Sequence, residues 1–462
     1  MRKYFSGWLF LVVGMFGAAP SIVLPSLMRL LPFLSVRRAS YRMDALLTLV
    51  LVCGLVISQV SAQSMHTPTE MPQAKAESVG MSTEGLKRID EIMQGHIDAG
   101  TIQGAITAVA RRGKVVHFST HGEMDVQKGR AMEPDAIFIM ASSAKPVVGV
   151  AAMMLIEEGL ISPSDPVSKY IPEFADMSVA VLTQPAGRKA SKLVIKTKGK
   201  GKGDIPAHRV VPVDTPMTVH HLLTHTSGLM SGGLGARVGP VARRKADDTR
   251  ATYTPRLAKT PLDFQPGRQW SYSAGAGLHV MARIIEIVSE TPFEEFVQKR
   301  IFDPLEMKNS YYRVPRDKES KRVVIKGFDF SKKNEGWGIL SAAEDYLHFE
   351  QMLLNGGQLF GRRLLSPASV KMMSSNQVDD LYASGSKKGQ KGMGFGYTVS
   401  VTLEPDIVGD DRGKGAFGWG GAAGTMSWTD PENELVAVIM LQQPRGSMRR
   451  DFAKAIRQAI ID

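Results

Sequence analysis

Ser142 and Lys145 are spaced so that one side chain could activate the other. A serine hydroxyl is a weak nucleophile until a base takes its proton, and a lysine that burial has deprotonated is such a base. Residues three apart share one face of a helical turn, so the two side chains should lie side by side. The pattern predicts acyl transfer to Ser142, with Lys145 as its partner.

The residues that follow this pair predict a buried helix. Pro146 is tolerated in a first helical turn, where backbone N–H groups lack partners, so the helix should begin at about Ser142. Residues 147–156 are apolar all round, which is typical of a helix inside a protein. A lysine at the dry end of such a helix is costly unless it is paired or has lost its proton. That cost favours a catalytic role for Lys145.

Two other patterns show how little a short motif proves. Ser384 and Lys387 repeat the Ser-x-x-Lys spacing, but in a loop rich in Gly, Ser and Lys. His221 and His225 are four apart, as in the helix of a zinc protease, yet Leu222 stands where that motif needs a glutamate. We therefore expect both histidines to be structural and predict no metal site.

Five stretches, in order along the chain, resemble the class C β-lactamase-related serine hydrolases. They are Ser142–Pro146, Leu222–Leu229, Trp270–Ser273, Phe302–Met307 and Gly418–Thr425. The resemblance covers about residues 77–460 and implies an α+β fold of the β-lactamase/DD-peptidase type. Such a fold has an antiparallel sheet flanked by helices, plus a helical lobe, with the site in the cleft between them. The resemblance implies neither a metal nor a cofactor.

The resemblance also assigns roles to individual residues. Ser142 matches the nucleophile and Lys145 its partner, while Tyr272 matches the tyrosine of the family's Tyr-x-Asn motif, a proton shuttle. The backbone N–H groups of Ser142 and Ala422 match the family's oxyanion hole. The alternative is that Tyr272 is an ordinary half-buried tyrosine with no role in proton transfer.

Two positions depart from the family pattern and bear on the substrate. Ala274 replaces the asparagine of Tyr-x-Asn, whose amide in the family helps to hold the lysine and the substrate. Trp419, Gly420 and Gly421 replace the Lys-Thr-Gly motif, whose lysine is expected to meet a substrate carboxylate. A tryptophan offers an apolar wall and one N–H instead, which resembles the carboxylesterases of the family, and the two glycines would allow close approach to the acyl group. Simple core packing is the other interpretation of Trp419.

The sequence thus predicts a serine hydrolase that forms an acyl-enzyme on Ser142 and releases it to water. A carboxylesterase is favoured, with a small-molecule ester or acyl compound as substrate. One alternative keeps the chemistry but is a β-lactamase or a D-alanyl-D-alanine carboxypeptidase. Another is a non-catalytic binding protein of the same fold, suggested by Ala274. No Gly-x-Ser-x-Gly elbow occurs, so an α/β-hydrolase is not expected.

Composition and charge exclude few partners. The 462 residues include 57 Lys and Arg against 45 Asp and Glu, a formal charge of +12. Part of the excess lies in a basic stretch between Arg188 and Arg209, inside a predicted insertion at about residues 183–216. Such a stretch is usually a solvated hairpin, and an anionic surface or polymer is the alternative. Nucleic acid is not indicated.

Residues 1–62 are predicted to be a leader with a signal peptide. A basic segment, a short apolar stretch over residues 45–58 and the small residues Val60–Ala62 are typical of a cleaved secretory signal. Because Met43 comes just before that stretch, we hypothesise that translation starts there.

The leader predicts a periplasmic or secreted protein. An uncleaved anchor is the alternative, and it is the sole membrane association that we expect. Residues 63–80 read as a linker and residues 81–462 as the hydrolase domain. The single cysteine, Cys53, falls in the leader, so the mature chain would have no disulfide.

A few local signals predict how the domain is built. Ser82 should cap a helix, and residues 105–110 and 115–120 should form a hairpin. Residues 291–294 and 341–344 match the capping box that opens a helix. We expect strands from both ends of the chain to meet in one sheet.

Overall fold

The computed structural model describes residues 69–183, 205–324, 338–384, 391–409, 411–443 and 446–462. All of them fall within one unit, Thr67–Asp462. The predicted leader, the Met43 start, most of the basic stretch and Lys387 of the second Ser-x-x-Lys pair lie outside the described residues.

The strands and helices are named here in chain order. The strands are β1 (Gly104–Arg111), β2 (Lys114–Asp125), β3 (Arg130–Ala131), β4 (Phe138–Ile139), β5 (Ser178–Leu182), β6 (His208–Pro212), β7 (Leu340–Ser341), β8 (Gln358–Leu359), β9 (Arg362–Arg363), β10 (Met393–Phe395), β11 (Ser400–Thr402), β12 (Phe417–Gly420), β13 (Met426–Asp430) and β14 (Leu435–Met440). The helices are α1 (Thr83–Asp98), α2 (Lys145–Glu157), α3 (Val219–Leu223), α4 (Gly235–Val238), α5 (Arg250–Leu257), α6 (Ala276–Ser289), α7 (Phe293–Val297), α8 (Ala343–Leu354), α9 (Pro367–Met373), α10 (Pro405–Val408) and α11 (Gly446–Ala459).

An antiparallel sheet of eight strands joins the two ends of the chain. Its order is β10-β11-β12-β13-β14-β1-β2-β3. The predicted hairpin is present as β1 and β2, and β1 also pairs with β14, with Ile106 opposite Met440. The expectation that strands from both ends meet in one sheet is therefore confirmed, and so is the α+β fold.

Helices cover both faces of this sheet. One face packs against α1 and α11 through side chains such as Val109, Ala437 and Ile439. The other face packs against α2 and α8 through side chains such as Ala108, Val436 and Val438. Every residue of β1 is buried because a strand with both faces covered has no solvated side.

A helical lobe packs beside the second face and completes the predicted architecture. It contains α3, α5, α6 and α7, whose buried side chains belong to the same core as α2. Helix α2 is buried from Lys145 to Leu155, as its uniformly apolar sequence predicts. Ser142 and Lys145 thus stand at the start of a buried helix against which the lobe packs.

The predicted helix caps are present where no residue from elsewhere in the fold pairs with the capping side chain. The Ser82 side chain accepts a hydrogen bond from the Gly85 N–H and caps α1 as predicted. The capping box predicted at Thr291 is wrong, since the Thr291 hydroxyl donates to the Ser289 carbonyl and Glu294 pairs with Arg250.

The capping box predicted at residues 341–344 is also wrong. The residue at the helix start is Ala342, and the Ser341 hydroxyl is instead hydrogen-bonded to Ser310 over 2.7 Å. In each box a residue from elsewhere in the fold takes one of the two side chains that the box needs, since Arg250 pairs with Glu294 and Ser310 with Ser341.

The described part of the predicted linker is packed rather than loose. Residues Ala76–Val79 form a 3₁₀-helix in which Ala76 and Val79 are buried, and the Ala74 N–H donates to the Val115 carbonyl. The ordered domain therefore begins before residue 81. At the predicted insertion, β5 and β6 pair as the flanks of a hairpin. Across the described residues, we find no helix with the length and hydrophobicity needed to cross a membrane.

Candidate active site

Ser142 lies on a tight turn that leads directly into α2. Residues Ala141–Ala144 form a 3₁₀-helix, and α2 continues from Lys145 with Pro146 in its first turn. The turn begins with Ala141 at a φ of 47°, a left-handed conformation that is uncommon for a residue with a side chain. Helical structure therefore begins at Ala141, close to the predicted start at Ser142. It is a 3₁₀-helix first and continues as the α-helix α2.

Lys145 is enclosed and points at the nucleophile. Its side chain amine lies 2.9 Å from Ser142 Oγ, and the residue is only 5% exposed. The amine also donates to the backbone carbonyl of Ala274 over 2.8 Å. Burial lowers the pKa of Lys145, against the opposing influence of Tyr272, because desolvation disfavours the charged amine. The lysine therefore meets the physical requirement for a base.

Tyr272 approaches the same serine from the other side. Its hydroxyl donates to Ser142 Oγ over 2.6 Å, and Lys145 Nζ lies 5.0 Å from the centre of its ring. The ring packs against Trp419, with centroids 5.5 Å apart, and against His225 at 4.8 Å. The structure thus brings the three residues Ser142, Lys145 and Tyr272 into one hydrogen-bonded group.

His225 packs against the ring of Tyr272 and makes no hydrogen bond to Ser142 among the described contacts. Burial, and secondarily the charge of Lys145, lower the pKa of His225 to about 3, so the imidazole is neutral. Neither ring nitrogen has a hydrogen-bond partner within the part of the chain that the structure describes. The other predicted structural histidine, His221, accepts a hydrogen bond from the Thr218 N–H as part of the cap of α3. Among the described residues, no group of three metal-ligating side chains lies at Ser142.

The end of β12 forms one wall beside the nucleophile. Trp419 packs edge-on against Phe395, and its indole N–H has no hydrogen-bond partner in the described part of the chain. At Gly421 a Cβ atom would fall well inside van der Waals contact with the Met140 carbonyl oxygen and the Thr425 hydroxyl. The backbone approach at Gly421 thus requires a residue without a side chain.

The turn after β12 presents the Ala422 N–H. The Gly421 N–H donates to the Thr425 carbonyl, whereas Ala422 is exposed and its N–H has no partner among the described residues. Arg449, from α11, donates to the Gly421 carbonyl over 2.7 Å and to the Thr425 carbonyl. Because the Gly421 carbonyl and the Ala422 N–H belong to one planar peptide unit, this contact fixes the direction of that N–H.

Ser143 joins the nucleophile turn to the sheet, a role that no local sequence pattern indicates. Its hydroxyl lies 2.9 Å from Thr425 Oγ1 and also contacts the carbonyl oxygen of Trp419. Its own carbonyl accepts a hydrogen bond from the buried Tyr346 hydroxyl. These residues hold Ser142 beside β12, and they are far apart in the chain, so only the fold brings them together.

A cavity of about 260 Å³ opens beside the nucleophile and extends under the helical lobe. Its lining includes Ser142, Lys145 and Ala274, together with the apolar side chains of Val148 and Leu278. The family's asparagine would project from the position of Ala274. The small side chain therefore leaves room that the longer one would occupy.

Comparisons with known proteins agree with this arrangement. The profile of the beta-lactamase family matches residues 89–460. An uncharacterized protein of Mycobacterium tuberculosis is 30% identical over 373 residues, which are 75% of this chain and 87% of that protein. The esterase EstB of Burkholderia gladioli is 25% identical over 402 residues, which are 81% of this chain and 94% of the esterase.

A solved structure supports the same fold. The protein described as EstCE1, a hydrolase with promiscuous acyltransferase activity, superposes with a TM-score of 0.64 at 21% identity. The match covers 81% of this chain and 99% of that one. It shows that the two share the arrangement of sheet and helical lobe.

Proposed function

Because the chain belongs to the beta-lactamase family, we propose that it is a serine hydrolase that cleaves carboxylic esters through an acyl-enzyme on Ser142. One observation carries the proposal: Ser142 Oγ is in hydrogen-bond contact with Lys145 at 2.9 Å and with Tyr272 at 2.6 Å. A serine placed between a desolvated amine and a phenol has both a route for losing its proton and a route for passing it on.

In the first step the Ser142 oxygen attacks the ester carbonyl carbon and forms a new C–O bond. Its proton passes to the neutral amine of Lys145, which is held by the Ala274 carbonyl and so cannot turn away. The carbonyl oxygen becomes an oxyanion as the tetrahedral intermediate forms. The ester C–O bond then breaks, which leaves the acyl group on Ser142.

Tyr272 carries the proton to the leaving group in this proposal. Its hydroxyl gives a proton to the departing alcohol oxygen and regains one from the Lys145 ammonium. Water then reverses the sequence: its proton goes to the same pair and its oxygen attacks the acyl carbon. Ser142 Oγ leaves with a proton, so the enzyme returns to its starting state and the products are an acid and an alcohol.

The backbone N–H groups of Ser142 and Ala422 are the proposed oxyanion hole. Pre-aimed donors act without reorganisation during the reaction, and losing one typically costs about 3 to 4 kcal/mol of transition-state stabilisation. The hydrogen bond from Arg449 to the Gly421 carbonyl supports this role, because it fixes the plane of the peptide that carries the Ala422 N–H.

The surroundings of Ser142 favour an uncharged substrate. Trp419 supplies an apolar wall where the family's lysine would attract a carboxylate, and the lack of a side chain at Gly421 lets the end of β12 approach the Met140 carbonyl beside the nucleophile turn. Val148 and Leu278 line the cavity next to the nucleophile. Arg250 also reaches this cavity, but Glu286 and Glu294 accept hydrogen bonds from its guanidinium. An ester with a small or medium-sized acyl group fits this chemistry better than a penicillin.

Export is the second part of the proposal. We place the mature enzyme in the periplasm or outside the cell, on the basis of the signal-like pattern in residues 43–62. N-terminal sequencing of the protein recovered from its native host should give an end near residue 63. A retained residue 1 would contradict both the cleaved signal and the Met43 start.

Hydrolysis of a p-nitrophenyl ester tests the enzyme activity. We expect turnover by the wild type, none above background by Ser142→Ala, and unchanged turnover by Ser384→Ala, the matched control from the second Ser-x-x-Lys pair. Equal rates for wild type and Ser142→Ala would refute the proposal. Turnover of nitrocefin without ester hydrolysis would favour the β-lactamase alternative, and no turnover of either would favour the binding protein.

A further inference from the structure

Four polar side chains converge on the face of the sheet opposite the nucleophile helix. His117 and His121 come from β2, Thr107 from β1 and Asp90 from α1. The Nε2 atoms of both histidines contact Thr107 Oγ1, at 2.8 and 3.0 Å. Asp90 Oδ1 lies 4.0 Å from the Nε2 of His117 and 3.8 Å from that of His121. The ligand atoms of the three residues all lie within 4.8 Å of one another.

This group contains a polar atom that the protein does not satisfy. Asp90 Oδ1 is buried and has no hydrogen-bond partner among the described residues, although the carboxylate as a whole is partly exposed. The Thr107 hydroxyl can give its single hydrogen to only one of the two imidazoles, so the other imidazole donates its N–H to Thr107 Oγ1, and no hydrogen is left for the carboxylate. A buried polar atom without a partner is uncommon in native proteins and calls for an explanation.

The chemistry of the group is that of a transition-metal ligand set. Both histidines are 8% exposed. A neutral imidazole binds a metal through its unprotonated nitrogen, so each Nε2 is available as a ligand when the ring proton is on Nδ1. Two imidazoles and one carboxylate are ligands that zinc prefers, whereas calcium and magnesium prefer oxygen ligands alone.

We propose that Asp90, His117 and His121 bind one zinc ion. In a tetrahedral site with bonds of about 2.0 to 2.1 Å, neighbouring ligand atoms lie about 3.4 Å apart. The separations from Asp90 Oδ1 to the two Nε2 atoms exceed this by about half an ångström, which a small side-chain movement removes. The Thr107 hydroxyl or a water molecule would complete the coordination.

The environment suits a cation that enters from solvent. A surface depression between α1 and β2 leads to the cluster, and its lining includes Asp90, Glu91 and Asp98. These carboxylates add negative charge beside the two histidines. The ion would tie α1 to the β1–β2 hairpin, so we expect it to stabilise the fold and to leave the chemistry at Ser142 unchanged.

Zinc titration of the full chain, purified without a polyhistidine tag and stripped with a chelator, tests the proposal. Isothermal calorimetry should give one zinc per chain, and Asp90→Asn and His121→Ala should each weaken binding at least tenfold. His96→Ala is the matched control, since His96 lies on the same helix α1 but pairs with Asp451 at 3.2 Å. It should leave zinc binding unchanged.

Thermal unfolding provides a second measurement that does not depend on enzyme activity. Zinc should raise the Tm of the wild type by several degrees and magnesium should not, whereas Asp90→Asn should show no zinc-dependent rise. Circular dichroism of Asp90→Asn checks that this conservative variant folds. No zinc bound at micromolar concentrations, or equal losses in His96→Ala and His121→Ala, would overturn the proposal. Ester hydrolysis that depends on zinc would contradict the stabilising role.

Discussion

Lys145 donates a hydrogen bond to the backbone carbonyl of Ala274 over 2.8 Å. At the position where the resemblance leads one to expect an asparagine amide, the main chain holds the lysine instead. The loss of that amide therefore does not free the Lys145 amine, which stays 2.9 Å from Ser142 Oγ. The departure that suggested a protein without turnover is compatible with an intact nucleophile group.

The pH dependence of ester hydrolysis should report the ionisation of Lys145. The amine acts as a base only when it is neutral, and burial lowers its pKa from the ordinary value of 10.5. We expect kcat/KM to rise with pH through a midpoint below 10.5.

Lys145→Ala should be nearly as inactive as Ser142→Ala, because members of one catalytic unit fail together. Substantial activity in Lys145→Ala would mean that the lysine is structural.

Replacing Tyr272 with phenylalanine should separate its hydroxyl from its ring. The ring contacts with Trp419 and His225 would remain, while the hydrogen bond to Ser142 would be lost. We expect kcat to fall by about 10² to 10⁴ with little change in KM, as for the loss of a proton-transfer group. Tyr397→Phe is the control, since that hydroxyl faces His220. Equal effects of the two substitutions would point to packing instead of proton transfer.

We expect substitutions of Trp419 to change the preference between esters and substrates that carry a carboxylate. Trp419→Lys would restore the family's cation and remove the apolar wall against Tyr272 and Phe395. Ester kcat/KM should drop about two- to twelvefold, the size expected for losing aromatic contacts worth about 0.5 to 1.5 kcal/mol. Turnover of nitrocefin, which carries a carboxylate, should rise relative to that of the ester. Trp419→Phe should keep the ester preference, and an unchanged ratio in Trp419→Lys would contradict this role.

Glu350 should make the stability of the domain depend on pH. The carboxyl accepts hydrogen bonds from the Ser427 and Thr429 hydroxyls, and burial raises its pKa from 4.5 to about 7. Between those values the folded state keeps a proton that the unfolded chain releases. The free energy of unfolding should therefore decrease as pH rises through this range and become level above about pH 7.

Glu350→Gln tests this pH dependence because a glutamine cannot titrate. Urea unfolding at pH 5.5 and pH 8 should show that the wild type loses about 1 to 3 kcal/mol more than the variant over this interval. Asp345, whose pKa burial raises to about 7, is present in both proteins and does not affect the difference. Identical pH dependence in the two proteins would show that Glu350 does not titrate as described.

The sequence predicted the fold and the three residues around the nucleophile because their signals are local or occur in a fixed order. Ser142 and Lys145 are one helical turn apart, and Tyr272 lies in one of five ordered motifs. The hairpin of β1 and β2 and the Ser82 cap were likewise predictable from short stretches of chain. All of these features except Tyr272, which the resemblance assigns, depend on neighbours in the sequence.

Features that depend on distant partners were missed. The capping boxes at residues 291–294 and 341–344 fail because residues elsewhere in the fold pair with Glu294 and with Ser341. The link between Ser143 and Thr425 spans 282 positions, and no local pattern announces it. In the same way, Asp90 gave no sign of lying beside His117, because α1 reaches β2 only through tertiary packing.

The central claim is that Ser142 is an activated nucleophile, and intact mass spectrometry after treatment with a fluorophosphonate tests it most directly. The reagent phosphonylates an activated serine and releases fluoride. We predict one adduct per chain in the wild type and in Ser384→Ala, and none in Ser142→Ala. An unmodified wild type, or an adduct that persists in Ser142→Ala, would contradict the claim.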